Sequence, residues 1–171
     1  MEMRLPDVLV QADAAAGEPP LPEYDLIELL FFAYRDFVGD ADRLLADYGF
    51  GRAHHRVMHF VSRRPGLTIA ELLDLLRITK QSLNRVLKEL IDTGFVEQRA
   101  GLSDRRQRLL FVSPRGRALA LELSELQSAR INRALARCEP GTRAAAAGFL
   151  AAMIDPMGPD GSRPPRRGLE R

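Results

Sequence analysis

A mainly α-helical fold with one small β-hairpin is what this 171-residue sequence predicts, and three observations predict it. Apolar residues recur at helical spacing over most of residues 23–154. Two short runs, Phe95 to Arg99 and Arg108 to Ser113, read as strands joined by the loop formers of AGLSDRRQ. Between Thr68 and Ser113 the parts follow one another as short helix, turn, longer helix with a polar basic face, and basic hairpin. That order is a winged helix-turn-helix, placed at residues 51–117.

Residues 1–22 are rich in Pro, Ala and acids without sustained periodicity and are expected to form a disordered arm. The folded part is expected to span residues 23–155. From Glu23 to Tyr48 a long helix is predicted by Leu26, Ile27, Leu30, Ala33, Tyr34, Phe37 and Val38, then Leu44, Leu45 and Tyr48. Leu29, Phe31 and Phe32 widen its apolar surface beyond one stripe, so it wants burial on more than one side. In so small a chain, a second subunit is a plausible source of that burial.

Gly49 and Gly51 break this helix, and His54 to Arg63 reads as the next. Pro65-Gly66 marks a turn. Thr68 and Glu71 have capping-box spacing and open a helix carrying Ile69, Leu72, Leu73 and Leu76. Thr79 is placed to cap the following helix. There Leu83, Val86, Leu87, Leu90 and Ile91 form a core face at i, i+3, i+4, i+7 and i+8. Gln81, Asn84, Arg85 and Lys88 lie opposite, with Lys80 and Ser82 in the first turn. Gly94 suits the left-handed position that ends a helix. After the hairpin, Pro114 opens a helix reaching Arg137, with Leu119, Leu123, Leu126, Ile131 and Leu135 apolar. Thr142 is expected to cap a short Ala-rich helix over residues 143–154, and residues 156–171 read as a disordered tail.

Net charge is only +2, but its distribution is uneven. Residues 1–50 hold 3 basic and 11 acidic side chains, a balance of −8. Residues 51–117 hold 14 and 6, a balance of +8, and residues 118–171 hold 8 and 6, a balance of +2. The basic segment coincides with the helix-turn-helix, as an electrostatic footprint for phosphates should. A merely solvated basic surface would give the same excess. No apolar run approaches the roughly 20 residues a membrane helix needs. The N-terminus lacks the pattern of a signal peptide, so a cytoplasmic location and no membrane partner are expected.

A helix that reads the major groove needs one face packed on its own domain and another of hydrogen-bonding groups. Thr79 to Lys88 supplies both. Arg85, Lys80 and Lys88 can donate to guanine O6 and N7, and Gln81 and Asn84 have the paired donor and acceptor that match adenine. Thr79 and Ser82 can reach a base or a phosphate. In the hairpin, Arg105 and Arg106 stand at the tip, with Arg99 and Arg108 at the base. Arginines on a narrow projection can enter the minor groove. Asp104 beside them is read as a brace that holds an arginine through a paired hydrogen bond. The rival reading is a winged-helix protein-interaction module without DNA binding.

These residues resemble the MarR-type transcriptional regulators over about residues 24–153. The sharpest match runs from Leu67 to Leu72, through Thr79 to Leu90 and Asp92-Thr93-Gly94-Phe95-Val96, into Asp104-Arg105-Arg106, Leu109 to Ser113 and Pro114-Arg115-Gly116. Asp104 and Arg106 match the family's Asp-x-Arg wing signature. The resemblance implies a homodimer joined through the first helix and the last two, here residues 23–48 and 114–154. It implies a palindromic operator and most often repression. It places Lys80, Gln81, Ser82, Asn84 and Arg85 at base-reading positions and Arg106 in the minor groove. It also implies a small-molecule effector pocket between the dimer helices and the DNA-binding lobe, with Tyr34, Tyr48, His55 and His59 as possible lining.

His55 and His59 sit one helical turn apart, a spacing able to hold a metal, but no HExxH glutamate or nearby cysteine accompanies them. No metal and no cofactor are expected. The single cysteine, Cys138, lies near Arg133 and Arg137 but beside Glu139, and is read as inert. No phosphate-binding Gly loop or nucleophile elbow occurs, so no enzyme activity is expected.

Overall fold

The computed structural model describes residues 22–101 and 106–155. The expected arm, apart from Pro22, and the expected tail lie outside these residues, as do Asp104 and Arg105 of the wing. Among the described residues, six helices and three strands follow in order: α1 (Tyr24–Ala46), α2 (Arg52–Arg63), β1 (Leu67–Thr68), α3 (Ile69–Leu76), α4 (Lys80–Asp92), β2 (Val96–Ala100), β3 (Arg108–Val112), α5 (Pro114–Leu135) and α6 (Thr142–Ala152). The sheet is antiparallel with order β1-β3-β2. The strand β1 was not expected. Gly66, with φ of 89°, turns the chain so that its amide donates to the Leu110 carbonyl at 2.8 Å, and Leu67 then pairs with Leu110.

The caps explain where the central helices begin. The Thr68 hydroxyl accepts from the Glu71 amide at 3.2 Å, while the Thr68 amide donates to the Glu71 carboxylate at 2.8 Å. The Thr79 hydroxyl accepts from the Ser82 amide at 3.2 Å. After α4, Gly94 adopts φ of 76°, its amide donates to Ile91 and the Phe95 amide to Leu90. This left-handed stop buries Phe95 under the end of its own helix. Thr142 is corrected: it is the first residue of α6, and Gly141, with φ of 90°, holds the cap position. The Thr142 hydroxyl donates backward to the Glu139 carbonyl at 2.7 Å instead of accepting from the helix.

One core joins α2, α3, α4, the sheet, the end of α1 and the start of α5. Leu72, Leu83, Leu90, Leu110 and Leu123 are fully buried in it, together with Val57, Met58 and Val61. The four residues of α4 that are fully buried, Leu83, Val86, Leu87 and Leu90, are the face read from periodicity, and Ile91 packs beside them half-buried. The outer helices differ. In α1 the buried residues are Val38, Ala41 and Leu45, all in its second half. In α5 they stop at Leu123, and α6 buries none. Phe31, Phe32, Leu126, Ile131, Phe149 and Ile154 are left exposed, Ile154 by 71%. Arg130 of α5 holds these arms together by donating to Asp40 of α1 at 2.8 and 2.9 Å, which keeps that carboxyl below its usual range.

Candidate nucleic-acid interface

The reading face stands on α4. Thr79, Lys80, Gln81, Ser82, Asn84, Arg85 and Lys88 are all exposed, opposite the buried leucines. Three of them carry structural duties as well. The Thr79 hydroxyl donates to the Ser82 hydroxyl at 2.9 Å, so the first turn is braced before any ligand arrives. Lys88 pairs with Asp92 one turn on, and this pairing raises the lysine's pKa. The other acid of the helix, Glu89, turns away toward α2 and meets His54 at 2.6 Å.

The turn before α4 is held from α2. Arg56 donates to the Leu76 carbonyl at 2.8 Å, where α3 ends. The next residue, Arg77, has φ of 51° and is the one non-glycine residue with positive φ among the described residues. Neither role was visible in the sequence, because Arg56 lies 20 residues away and a left-handed arginine breaks the usual preference for glycine.

The wing divides its arginines between two faces. Strand register pairs Ala100 with Arg108 and Arg99 with Leu109. Alternation then puts Arg108 on the face of Leu110 and Val112, and Arg99 on the other. There the Arg99 guanidinium lies 4.4 Å above the Phe111 ring and donates to Glu97 at 2.9 Å. Arg106 is exposed at the tip. The proposed Asp104 brace and Arg105 fall outside the described residues. Gln98, which the sequence reading passed over, lies on the side of α4. It lines a shallow cavity of about 250 Å³ with Asn84, Lys88, Asp92, Ile69, Leu87 and Ile91. Its strand phase relative to buried Val96 was the available signal.

The four residues read as pocket lining are spread out. Tyr34 faces Arg52, whose guanidinium lies 5.9 Å from the ring centre and pairs with Asp42 at 2.9 Å. His55 is half-buried, and desolvation followed by the charge of His59 lowers its pKa against a smaller opposing effect of Asp42. Partial desolvation and then Arg63 lower His59. Tyr48 packs elsewhere, edge-on to Phe95 at 5.5 Å and stacked near Phe50 at 6.1 Å. None of the four lines the cavity beside α4. Among the described residues no three His, Cys, Asp or Glu side chains gather as a metal-binding group. Cys138 is exposed, with its thiol directed at the Ala134 carbonyl 3.4 Å away. No described helix is long and apolar enough to cross a membrane.

A model of the MarR family matches residues 48–107. The HTH-type transcriptional regulator PetP of Rhodobacter capsulatus is 49% identical over 130 residues, covering 76% of this chain and 78% of that one. Among solved structures, FabT of Streptococcus pneumoniae in complex with DNA has the same fold. Its TM-score is 0.68 at 15% identity, over 75% of this chain and 92% of that chain. The MarR family protein Rv2887 of Mycobacterium tuberculosis, in complex with salicylic acid, superposes with a TM-score of 0.55 at 28% identity, over 82% and 100% of the two chains.

Proposed function

The chain belongs to the MarR family and is a DNA-binding transcriptional regulator, and from that premise we propose that it represses its targets as a homodimer on a palindromic operator. The observation that carries this reading is the division of α4. Its buried leucines fix it to the lobe, and Lys80, Gln81, Asn84 and Arg85 stand clear on the other side. That face enters the major groove, and Arg106 of the wing enters the adjoining minor groove. Arg108 lies beside it for phosphate contact, and Arg105 is proposed to join it. Arg99 lies over Phe111 on the other face and pairs with Glu97 through one guanidinium nitrogen.

Dimerisation through α1, α5 and α6 is supported by the apolar residues that these helices leave exposed. Repression is supported by Rv2887, described as an HTH-type transcriptional repressor and 38% identical over 80 residues. A small-molecule effector is part of the same reading, supported by the salicylic acid complex of that protein. Tyr34, His55 and His59 on the α1–α2 side are proposed to line its site, without Tyr48, which packs on Phe50 and Phe95.

Gel shifts with genomic fragments at two salt concentrations test the reading. Specific fragments should shift at low salt and release steeply as salt rises, because phosphate contacts displace counterions. A chain that shifts no fragment at low salt would instead be a winged-helix protein-interaction module.

A further inference from the structure

We propose that His54 is a positioning residue for DNA reading: through Glu89 it sets the tilt of α4 against the end of α1, and so sets the half-site spacing that the dimer accepts. The proposal rests on the dimeric DNA-binding reading above.

His54 is held on every side. It is 9% exposed, and its ring stacks on Phe50 at 4.7 Å with an interplanar angle of 11°. The Gly51 amide donates to its Nδ1 at 3.1 Å, which leaves the ring proton on Nε2. Nε2 then donates to the Glu89 carboxylate at 2.6 Å. Phe50 lies in the turn after α1 and is tied back to it, its amide donating to the Leu45 carbonyl at 2.9 Å. It also stands edge-on to Phe95, the residue after the stop of α4, at 5.1 Å. One imidazole therefore touches the turn that follows the proposed dimer arm, the cap of α2 and the last turns of the reading helix.

The hydrogen bond fixes where the Glu89 carboxylate points, back toward α2. Glu89 is engaged by His54, on the helix that also presents Arg85 one turn earlier. The lever is long enough to matter. Lys80 lies nine residues before Glu89, roughly 13 Å along the helix, so a tilt of about 5° moves the contact end by about 1 Å. Base-edge hydrogen bonds occupy a window of only about 0.5 Å, so such a shift breaks them. In a dimer both reading helices shift together, which changes the distance between them.

The test uses the full chain and a palindromic duplex selected from random sequence by the parent protein, alongside duplexes with one base pair inserted or removed at its centre. The parent should prefer the selected spacing. Glu89→Ala, at an exposed position that leaves the core intact, should weaken binding to that spacing by about tenfold, the loss expected when one base-edge contact is broken. It should also shrink the preference over the altered spacers. His54→Ala should do the same, the double variant should be no worse than either single one, and Glu89→Gln, which keeps an acceptor, should recover most of the preference. Equal weakening on all three duplexes would indicate a merely structural contact and overturn the proposal, as would a Glu89→Ala variant with parental spacing preference. A parent that ignores spacing would remove the dimeric reading, and the proposal with it.

Discussion

A Cβ added to Gly116 would stand 2.0 Å from the Phe95 carbonyl oxygen, a backbone atom that cannot step aside. The same carbonyl accepts from the Ser113 amide at 3.0 Å, and the Ser113 hydroxyl donates to Gly94 while accepting from the Gly116 amide. This contact fastens α5 to the end of α4. Gly116→Ala should therefore cost about 3 kcal/mol, at the upper end of overpacking penalties, as read from urea unfolding. An unchanged midpoint would mean that the helices part easily. On the reading face, Arg85→Ala should erode discrimination between operator variants by about 1–3 kcal/mol at one base position, measured by competition binding. Arg106→Ala should weaken binding to all sites and relax any A·T preference in the flanks. The residue scale was legible where chemistry is local: Thr68 and Glu71 cap as their spacing indicated, and Thr79 caps α4 as expected. It was illegible where partners are distant, as for Glu89, whose partner His54 lies 35 residues away.

The elements follow from the same logic, with a limit at the wing. The α4 pattern of five apolar positions identified its core face because a helix has one stable way to bury such a stripe. The two-residue β1 has too little length to show a pattern, and it exists because Gly66 aims its amide at β3. Arg99 and Arg108 were read together at the base of the wing, yet strand alternation places them on opposite faces. For α2 the structure predicts a pH effect. Desolvation lowers the pKa of His55 and His59 below the ordinary value near 6.5, so the folded chain resists protons that the unfolded chain accepts. Stability should fall as pH drops through about 6.5, with the loss complete below the folded-state values. His55→Gln should flatten the slope of thermal midpoint against pH between about 7 and 5; a slope identical to the parent's would contradict this. The carboxyls of Asp40 and Glu71 are lowered by their partners, so their contribution is present above the ordinary carboxylate range and is lost only at more acid pH.

For the whole molecule, the division is between a lobe with a closed core and arms without one. The lobe buries its leucines within the chain, whereas α6 buries none and the first half of α1 leaves Tyr24, Phe31 and Phe32 in the open. The sequence already showed α1 to be apolar beyond one stripe. It could not show which surface meets which, since a contact between copies leaves no periodic mark. Dimerisation makes the thermal midpoint rise with protein concentration, and a midpoint independent of concentration would count against it. The charge distribution completes the picture, because the +8 of residues 51–117 lies in the lobe that carries α4 and the wing. Genome-wide footprinting with the purified parent, Arg85→Ala and Arg106→Ala proteins tests the central claim most directly. Palindromic protected sites should appear with the parent and fade with each variant; the same footprints from all three proteins would contradict the claim that α4 and the wing read DNA.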